Sequence, residues 1–392
     1  MKLAYVVPRY GLEVVGGAEY GARMLAERLV AMKGWDVEIF TTTALDVRTW
    51  ADELPSGTVD VNGVTVHRFD SLSGRQPDFD GTSERVLLDP ARAAPRDAKR
   101  CIELQGPVNP DLIAGAVASD ADLVAFYPYL YHPTVHGVPA VGRRAVMHPA
   151  AHDEPPLKLP LFGPVFQGVS GLVFQTWSER HLVERMFRVA GTRQIVVGLG
   201  VEEGPGEPDA ARAALGIGDD PYLVCVGRVD DGKGTGMLAT FFGEYKRRRP
   251  GPLKLVLIGP VVDQPDPHPD VLVVGPVDEP TKWGAIRGSV ALVSPSAFEA
   301  FSLVVVEGWT AGVPVVVHGR CAPTKEHCER SGGGLWFDGY AMFEAVVDRL
   351  AGDDVLHAEL ARRGREYVDA NFRWTTIIDR YAAFLDDVAA HV

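Results

Sequence analysis

Residues 290–317 read VALVSPSAFEAFSLVVVEGWTAGVPVVV, and the fold class follows from how this stretch divides. Val290–Ser294 and Val313–Val317 are short runs rich in β-branched residues, the pattern of strands buried on both faces. From Ser302 onward the segment between them reads as a helix. Strand, helix and a second strand of the same kind make the crossover unit of a parallel sheet.

The same alternation extends outward in both directions. Toward the N-terminus, Leu3–Val7, Val37–Thr41, Val64–Phe69 (after the turn Val61-Asn62-Gly63), Leu123–Phe126, Ala145–His148, Gly171–Gln175 and Gln194–Val197 read as strands. Ala18, Ala22, Leu25 and Leu29 recur at helical spacing behind the first of them. Gly198–Pro208 is rich in Gly, Pro and Glu and reads as a linker. Beyond it the strand pattern resumes at Tyr222–Val226, Leu253–Ile258 and Val271–Val274. The expected class is therefore α/β, two Rossmann-like halves of parallel sheet. Residues 74–110 are the least regular part, either a functional insertion or an ordinary loop–helix excursion. The last helix is amphipathic, with Trp374, Ile378, Tyr381, Leu385 and Val388 on one face.

Composition narrows the function. Lys and Arg total 39 against 52 Asp and Glu, a formal net charge of −13. That balance disfavours a non-specific nucleic-acid binder, which needs clustered cations. It also weakens a reading as a protein held on anionic lipid. An apolar fraction of 46% is enough to close two cores. The four cysteines, Cys101, Cys225, Cys321 and Cys328, form no disulfide framework, and only Cys321 and Cys328 hint weakly at a metal. The N-terminus reads as a first strand rather than a signal peptide. No apolar run is long enough to span a membrane. A cytoplasmic protein is the expectation.

Three elements carry the chemistry. Glu299 precedes the helix and Glu307 lies inside it. An acid on an apolar helical stretch costs free energy without a partner, and the hydroxyls of a sugar or ribose are suitable partners. Ser302, Leu303 and Val304 offer helix-start N–H groups to phosphate. A surface Glu beside a salt-bridged Glu is the plainer alternative, and the continuous apolar surroundings weaken it. The second element is Gly227-Arg228 followed by Lys233-Gly234. Arg and Lys five residues apart on a glycine-rich loop can clamp a diphosphate from two sides. Alone, it reads better as a solvated turn with two surface cations. The third is Gly16-Gly17-Ala18-Glu19, after the first strand. It lacks the G-x-G-x-x-G fingerprint, and the loop from Pro8 to Val15 is too long for a dinucleotide turn, so a nicotinamide enzyme ranks last. Asp78-Phe79-Asp80 resembles a metal–nucleotide motif but follows no strand and reads as a solvated loop.

Taken in order, Gly-Gly-Ala-Glu, Gly-Arg-x4-Lys-Gly and Glu-x7-Glu followed by Ala-Gly-Val-Pro-Val resemble the retaining glycosyltransferases of the GT-B fold, family four, of the group 1 type. The resemblance covers essentially the whole chain, and the Glu-x7-Glu block is its most specific part. It implies two domains facing a central cleft. Residues 1–198 would bind the acceptor, 199–372 the nucleotide-sugar donor, and 373–392 would form a helix returning to the first domain. It implies that Arg228 and Lys233 bind the donor diphosphate and that Glu307 meets the ribose. Glu299 lies near the donor sugar, and Gly17, Ser302, Leu303 and Val304 are further donor contacts. His152 matches the histidine near the reacting carbon, with His148 in reserve. Gly16, Tyr127, Tyr129, His148 and Asp153 are candidate acceptor contacts, with Tyr131 and His132 nearby. Ser302 and Gly308 depart from the family pattern, and Gly308 is expected to make room for a base or ribose. The expected activity is retaining transfer of a hexosyl-type sugar from a UDP-, GDP- or TDP-linked donor to a hydroxyl or other nucleophile. The acceptor is a soluble small molecule or glycan, and no metal or other cofactor is required. A nucleotide-sugar epimerase or a non-catalytic nucleotide-sugar-binding subunit is the alternative. The acid excess is expected to lie away from the donor loops. The clusters Arg96–Arg100 and Lys246–Arg249 leave a peripheral membrane role open.

Overall fold

The structure, a computed structural model, describes residues 1–14 and 16–392, and Val15 lies outside the described residues. The chain divides into two units, Met1–Gly198 with Ile377–Val392, and Leu199–Thr376.

The first unit holds eight strands: β1 (Lys2–Val6), β2 (Asp36–Thr42), β3 (Gly57–Val61), β4 (Val64–Phe69), β5 (Leu123–Phe126), β6 (Ala145–Met147), β7 (Gly171–Phe174) and β8 (Arg193–Val196). Their order is β3-β4-β2-β1-β5-β6-β7-β8. Leu3–Val6 and Leu123–Phe126 are fully buried, as continuous apolar runs in a sheet covered on both faces must be. All pairings are parallel except β3 with β4. That hairpin closes through Asn62 (φ 53) and Gly63 (φ 83). Two positive-φ residues in a two-residue loop suit the twist of the flanking strands.

The second unit holds β9 (Tyr222–Val226), β10 (Lys254–Ile258), β11 (Val271–Gly275), β12 (Ala291–Ser294), β13 (Val315–His318) and β14 (Gly334–Phe337). They run parallel in the order β11-β10-β9-β12-β13-β14. Both units are Rossmann-like.

In each sheet the winding reverses beside the first strand, between β1 and β5 and between β9 and β12. Loops leaving the carboxyl ends of strands at such a point bind ligands in open α/β sheets. The Gly16-Gly17 loop follows β1, Arg228 and Lys233 follow β9, and Glu299 follows β12.

Residues 74–110 contain the helices Phe79–Leu87 and Pro95–Gln105, and Pro110 opens a third, in keeping with a loop–helix excursion. Pro95 and Pro110 are helix starts rather than breaks, because a first-turn N–H has no helical acceptor to lose. Asp78 then stands at the start of a helix, not in an open loop. The linker 198–208 has no regular structure before Pro208, but it is pinned. Arg287 donates to Gly204 O at 2.7 Å and Gly206 O at 2.6 Å. A side chain at Gly204 would collide with the Trp283 ring.

Candidate functional site

Loop conformation after β9 depends on Asp230, which the sequence did not single out. Asp230 is buried, and its Oδ1 accepts from the Lys233 backbone N–H at 2.7 Å. Its Oδ2 accepts from Arg228 Nε. One carboxylate therefore folds the turn and orients the arginine. Gly234 (φ 75) lets the turn press against the next loop, because a Cβ there would sit 2.7 Å from Pro295 O. The contact brings Lys233 Nζ to 2.6 Å from Glu299 Oε1.

Glu299 is followed by Phe301, whose ring is buried against His327 and Phe372 at 5.0 and 5.3 Å. Ser302 takes φ 69 at the start of the helix Leu303–Thr310, and its side chain makes no capping bond. First-turn N–H groups there, those of Leu303 and Val304, have no acceptor within the helix and carry partial positive charge. Glu307 lies one turn further on and is largely buried. Its Oε1 accepts from Lys282 Nζ at 3.1 Å, and Lys282 also contacts Glu279 at 2.8 Å. Burial pushes the Glu307 carboxyl up, and Lys282 opposes the rise. Gly308 does not make room for a ligand. A Cβ there would meet Val315 Cγ1 at 2.9 Å, so the glycine lets the helix close on its own sheet.

The structure thus brings Arg228, Lys233 and Glu299 together, with Glu307 in the helix that follows Glu299. Both cations carry carboxylate partners, Asp230 and Glu299.

In the first unit, Gly16 is extended and starts the helix Gly17–Lys33. Glu19 folds back beside it, and Arg9 Nε donates to Glu19 Oε1 at 3.0 Å. A Cβ on Gly17 would meet nothing within 4 Å, so packing does not demand glycine there. His152 follows Ala150, which takes φ 50, and its Nε2 lies 3.3 Å from Glu154 Oε2. Tyr129 donates to Glu154 Oε1 at 2.8 Å. Asp153 is exposed and pairs with Lys158 at 2.9 Å. Tyr131 is half-buried, 5.0 Å from the Trp50 ring.

Three expected acceptor contacts are core residues instead. Tyr127 and Tyr129 are each 1% exposed and His148 3%. His148 Nε2 meets Tyr381 OH at 2.7 Å, and Tyr381 OH meets Tyr5 OH at 2.8 Å. Burial pushes the His148 imidazole down to about 3, so it is neutral. Tyr127 OH accepts from Gln175, and the Tyr129 ring packs on Phe162 at 4.8 Å. Strand-end aromatics in a doubly covered sheet face helices, not solvent. His132 is also buried. Among the described residues no group of three or more His, Cys, Asp or Glu is placed to hold a metal ion, and no helix is long and apolar enough to cross a membrane.

The chain is similar to several known proteins. The chain is 27% identical over 331 residues to D-inositol 3-phosphate glycosyltransferase of Frankia alni, covering 77% of each chain. It is 26% identical over 242 residues to the D-inositol 3-phosphate glycosyltransferase of Acidothermus cellulolyticus, covering 56% of this chain and 53% of that one. The match therefore spans about half the length of the latter relative. Sucrose-phosphate synthase of Thermosynechococcus elongatus superposes over 100% of both chains with a TM-score of 0.71 at 17% identity, a likeness of fold. The family model of the glycosyl transferases group 1 matches residues 220–353. The segment that carries Arg228, Lys233, Glu299 and Glu307 is therefore the part of the chain similar to the glycosyl transferases group 1.

Proposed function

We propose that the protein is a retaining, metal-independent glycosyltransferase that moves a hexosyl-type sugar from a nucleotide-sugar donor to a hydroxyl of a small acceptor. The donor role falls to residues 199–372 and the acceptor role to residues 1–198. The observation that carries the reading is the placement of Arg228, Lys233 and Glu299 on two loops that meet where the second sheet reverses its winding.

Breaking the donor bond leaves an oxocarbenium-like sugar and a diphosphate. Arg228, Lys233 and the N–H groups of Leu303 and Val304 offer preorganised positive charge to the departing oxygen. Lys233 holds Glu299 until the donor arrives, and an ammonium with three N–H donors can then serve both. Glu307 keeps Oε1 on Lys282 and offers Oε2 to a ribose hydroxyl. His152 and Glu154 stand on the acceptor side. The relatives' names, D-inositol 3-phosphate glycosyltransferase, support a phosphorylated polyol as the acceptor class. We place the enzyme in the cytoplasm, where such donors are made.

A thermal-shift screen of UDP-, GDP- and TDP-sugars tests the donor assignment. One nucleotide should raise the melting temperature, since binding at a hundredfold excess over Kd adds about 2.7 kcal/mol. Arg228→Ala should abolish that rise. No response to any nucleoside diphosphate would remove the reading.

A further inference from the structure

Glu179 is 1% exposed and belongs to none of the roles above. It is the third residue of the helix Trp177–Met186, where Thr176 caps the start by accepting from the Glu179 N–H at 3.2 Å. A carboxylate at this place normally reaches back to the chain just before its own helix. One oxygen does so, Oε2 accepting from the Gln175 N–H at 2.6 Å. Its other oxygen crosses to a different strand end, and Oε1 accepts from the Ala151 N–H at 2.8 Å. Ala151 is fully buried, follows Ala150 with its positive φ of 50, and precedes His152. A non-glycine residue in that conformation persists only where the surroundings hold it. The bond from Ala151 to Glu179 is such a hold.

We propose that Glu179 is a positioning residue for His152: its ionised carboxylate anchors the Ala151 N–H and so fixes the turn that presents the imidazole, and protonation loosens that turn. The link to turnover rests on the glycosyltransferase reading, in which His152 stands by the reacting carbon. The anchoring itself does not. Groups facing Glu179 are His152 from the loop after β6, Tyr127 from the end of β5, and Gln175 and Thr176 from the end of β7. On its own helix, Arg180 pairs with Glu184 at 2.9 Å. Burial pushes the Glu179 carboxyl up to about 7, against the pull of the Gln175 and Ala151 N–H groups and of His152. Near neutral pH both forms are therefore populated. An ionised carboxylate accepts from both N–H groups, whereas a protonated one turns an O–H toward a donor and loses one of them.

The test follows the Ala151 amide resonance of the full chain, labelled with 15N-alanine and assigned by its loss in Ala151→Gly. Between pH 5.5 and 8.5 the wild-type resonance should titrate with a midpoint near 7, and in Glu179→Gln it should stay flat. With a responsive donor, Glu179→Gln should lower kcat on the order of tenfold to a hundredfold, as loop misplacement does. The donor KM should stay within about twofold, because the donor residues lie in the other unit, and the acid limb near pH 7 should vanish. A flat wild-type Ala151 resonance overturns the proposal even if Glu179→Gln does not fold. Unchanged kcat and an unchanged pH profile in Glu179→Gln overturn it as well. An Ala151 resonance that titrates as expected, in a protein that turns over no nucleotide sugar, upholds the anchor and removes the glycosyltransferase reading instead.

Discussion

Glu307 and Lys282 form a pair in which each member needs the other, because a buried carboxylate left alone is costly. Lys282→Met should let the Glu307 carboxyl rise further and protonate at higher pH, losing its capacity to accept from ribose. Nucleotide affinity of the variant, measured by calorimetry at pH 6 and pH 8, should fall on acidification more steeply than the wild type's. The buried acid Glu179 makes stability depend on pH with the opposite sign to the buried histidines. Its pKa is raised from 4.5 to about 7, so the folded state binds more protons than the unfolded one across that window. Its contribution to stability is therefore full below about 4.5 and declines as pH rises to about 7, by on the order of 3 kcal/mol. His148 and His327 are both pushed down to about 3 by burial, so their contribution grows as pH rises from about 3 to 6.5. Denaturation of wild type and Glu179→Gln at pH 5 and pH 8 isolates the acid, and only the wild type should carry the declining term. Arg228, Lys233 and Glu299 stood out in the sequence because each lies in a loop after an apolar strand, and Glu307 because it interrupts an apolar helical run. Asp230 sits between two of them, and its role shows only in its partners, the Arg228 side chain and the Lys233 N–H. Glu179 and Lys282 were not legible, since their meaning lies in partners 28 and 25 residues away.

Helices meet their neighbours through glycines whose roles differ, and substitution separates them. The Trp309 ring, on Leu303–Thr310, lies against Gly364 of the helix Asp354–Asn371, and a Cβ there would enter the ring. An alanine ordinarily favours a helix over glycine by about 0.5–1 kcal/mol. Gly364→Ala should instead destabilise by about 1–3 kcal/mol through overpacking, read as a lower urea midpoint. Gly17, with nothing within 4 Å, should behave the other way. Gly17→Ala should keep or raise the melting temperature, and if a ligand approaches that backbone it should lower turnover. A variant both less stable and fully active would contradict this. Strands buried on both faces were legible from composition alone. The β3 edge strand and the helices opened by Pro95 and Pro110 were not, because an exposed strand carries no apolar run and proline marks starts and breaks alike.

Across the whole molecule, the charge of −13 does not leave a bare basic surface at one of the clusters read from the sequence. Lys246 is buried and pairs with Asp270 at 3.2 Å. Arg247 pairs with Glu244 at 2.6 Å, and Arg248 and Arg249 reach Glu344 at 2.9 and 3.0 Å. That cluster is internally neutralised and is a poor lipid anchor. At Arg96–Arg100 the pairing is looser, with Arg96 3.6 Å from Asp97 and Lys99 4.0 Å from Glu103. The loops after β9 and β12 follow the same rule of local balance, with Arg228 on Asp230 and Lys233 on Glu299. On the proposed reading a diphosphate meets cations that are already paired, and specificity depends on geometry more than on net attraction. Nucleotide release answers the central question most directly. Purified protein is mixed with UDP-, GDP- and TDP-sugars, with and without a phosphorylated polyol such as inositol phosphate, and free nucleoside diphosphate is measured. One donor should release its nucleotide only when the acceptor is present, and Arg228→Ala should lose that release about a hundredfold or more, as removal of a transition-state donor does. Acceptor-dependent release that survives undiminished in Arg228→Ala, or no release with any donor, would contradict the account.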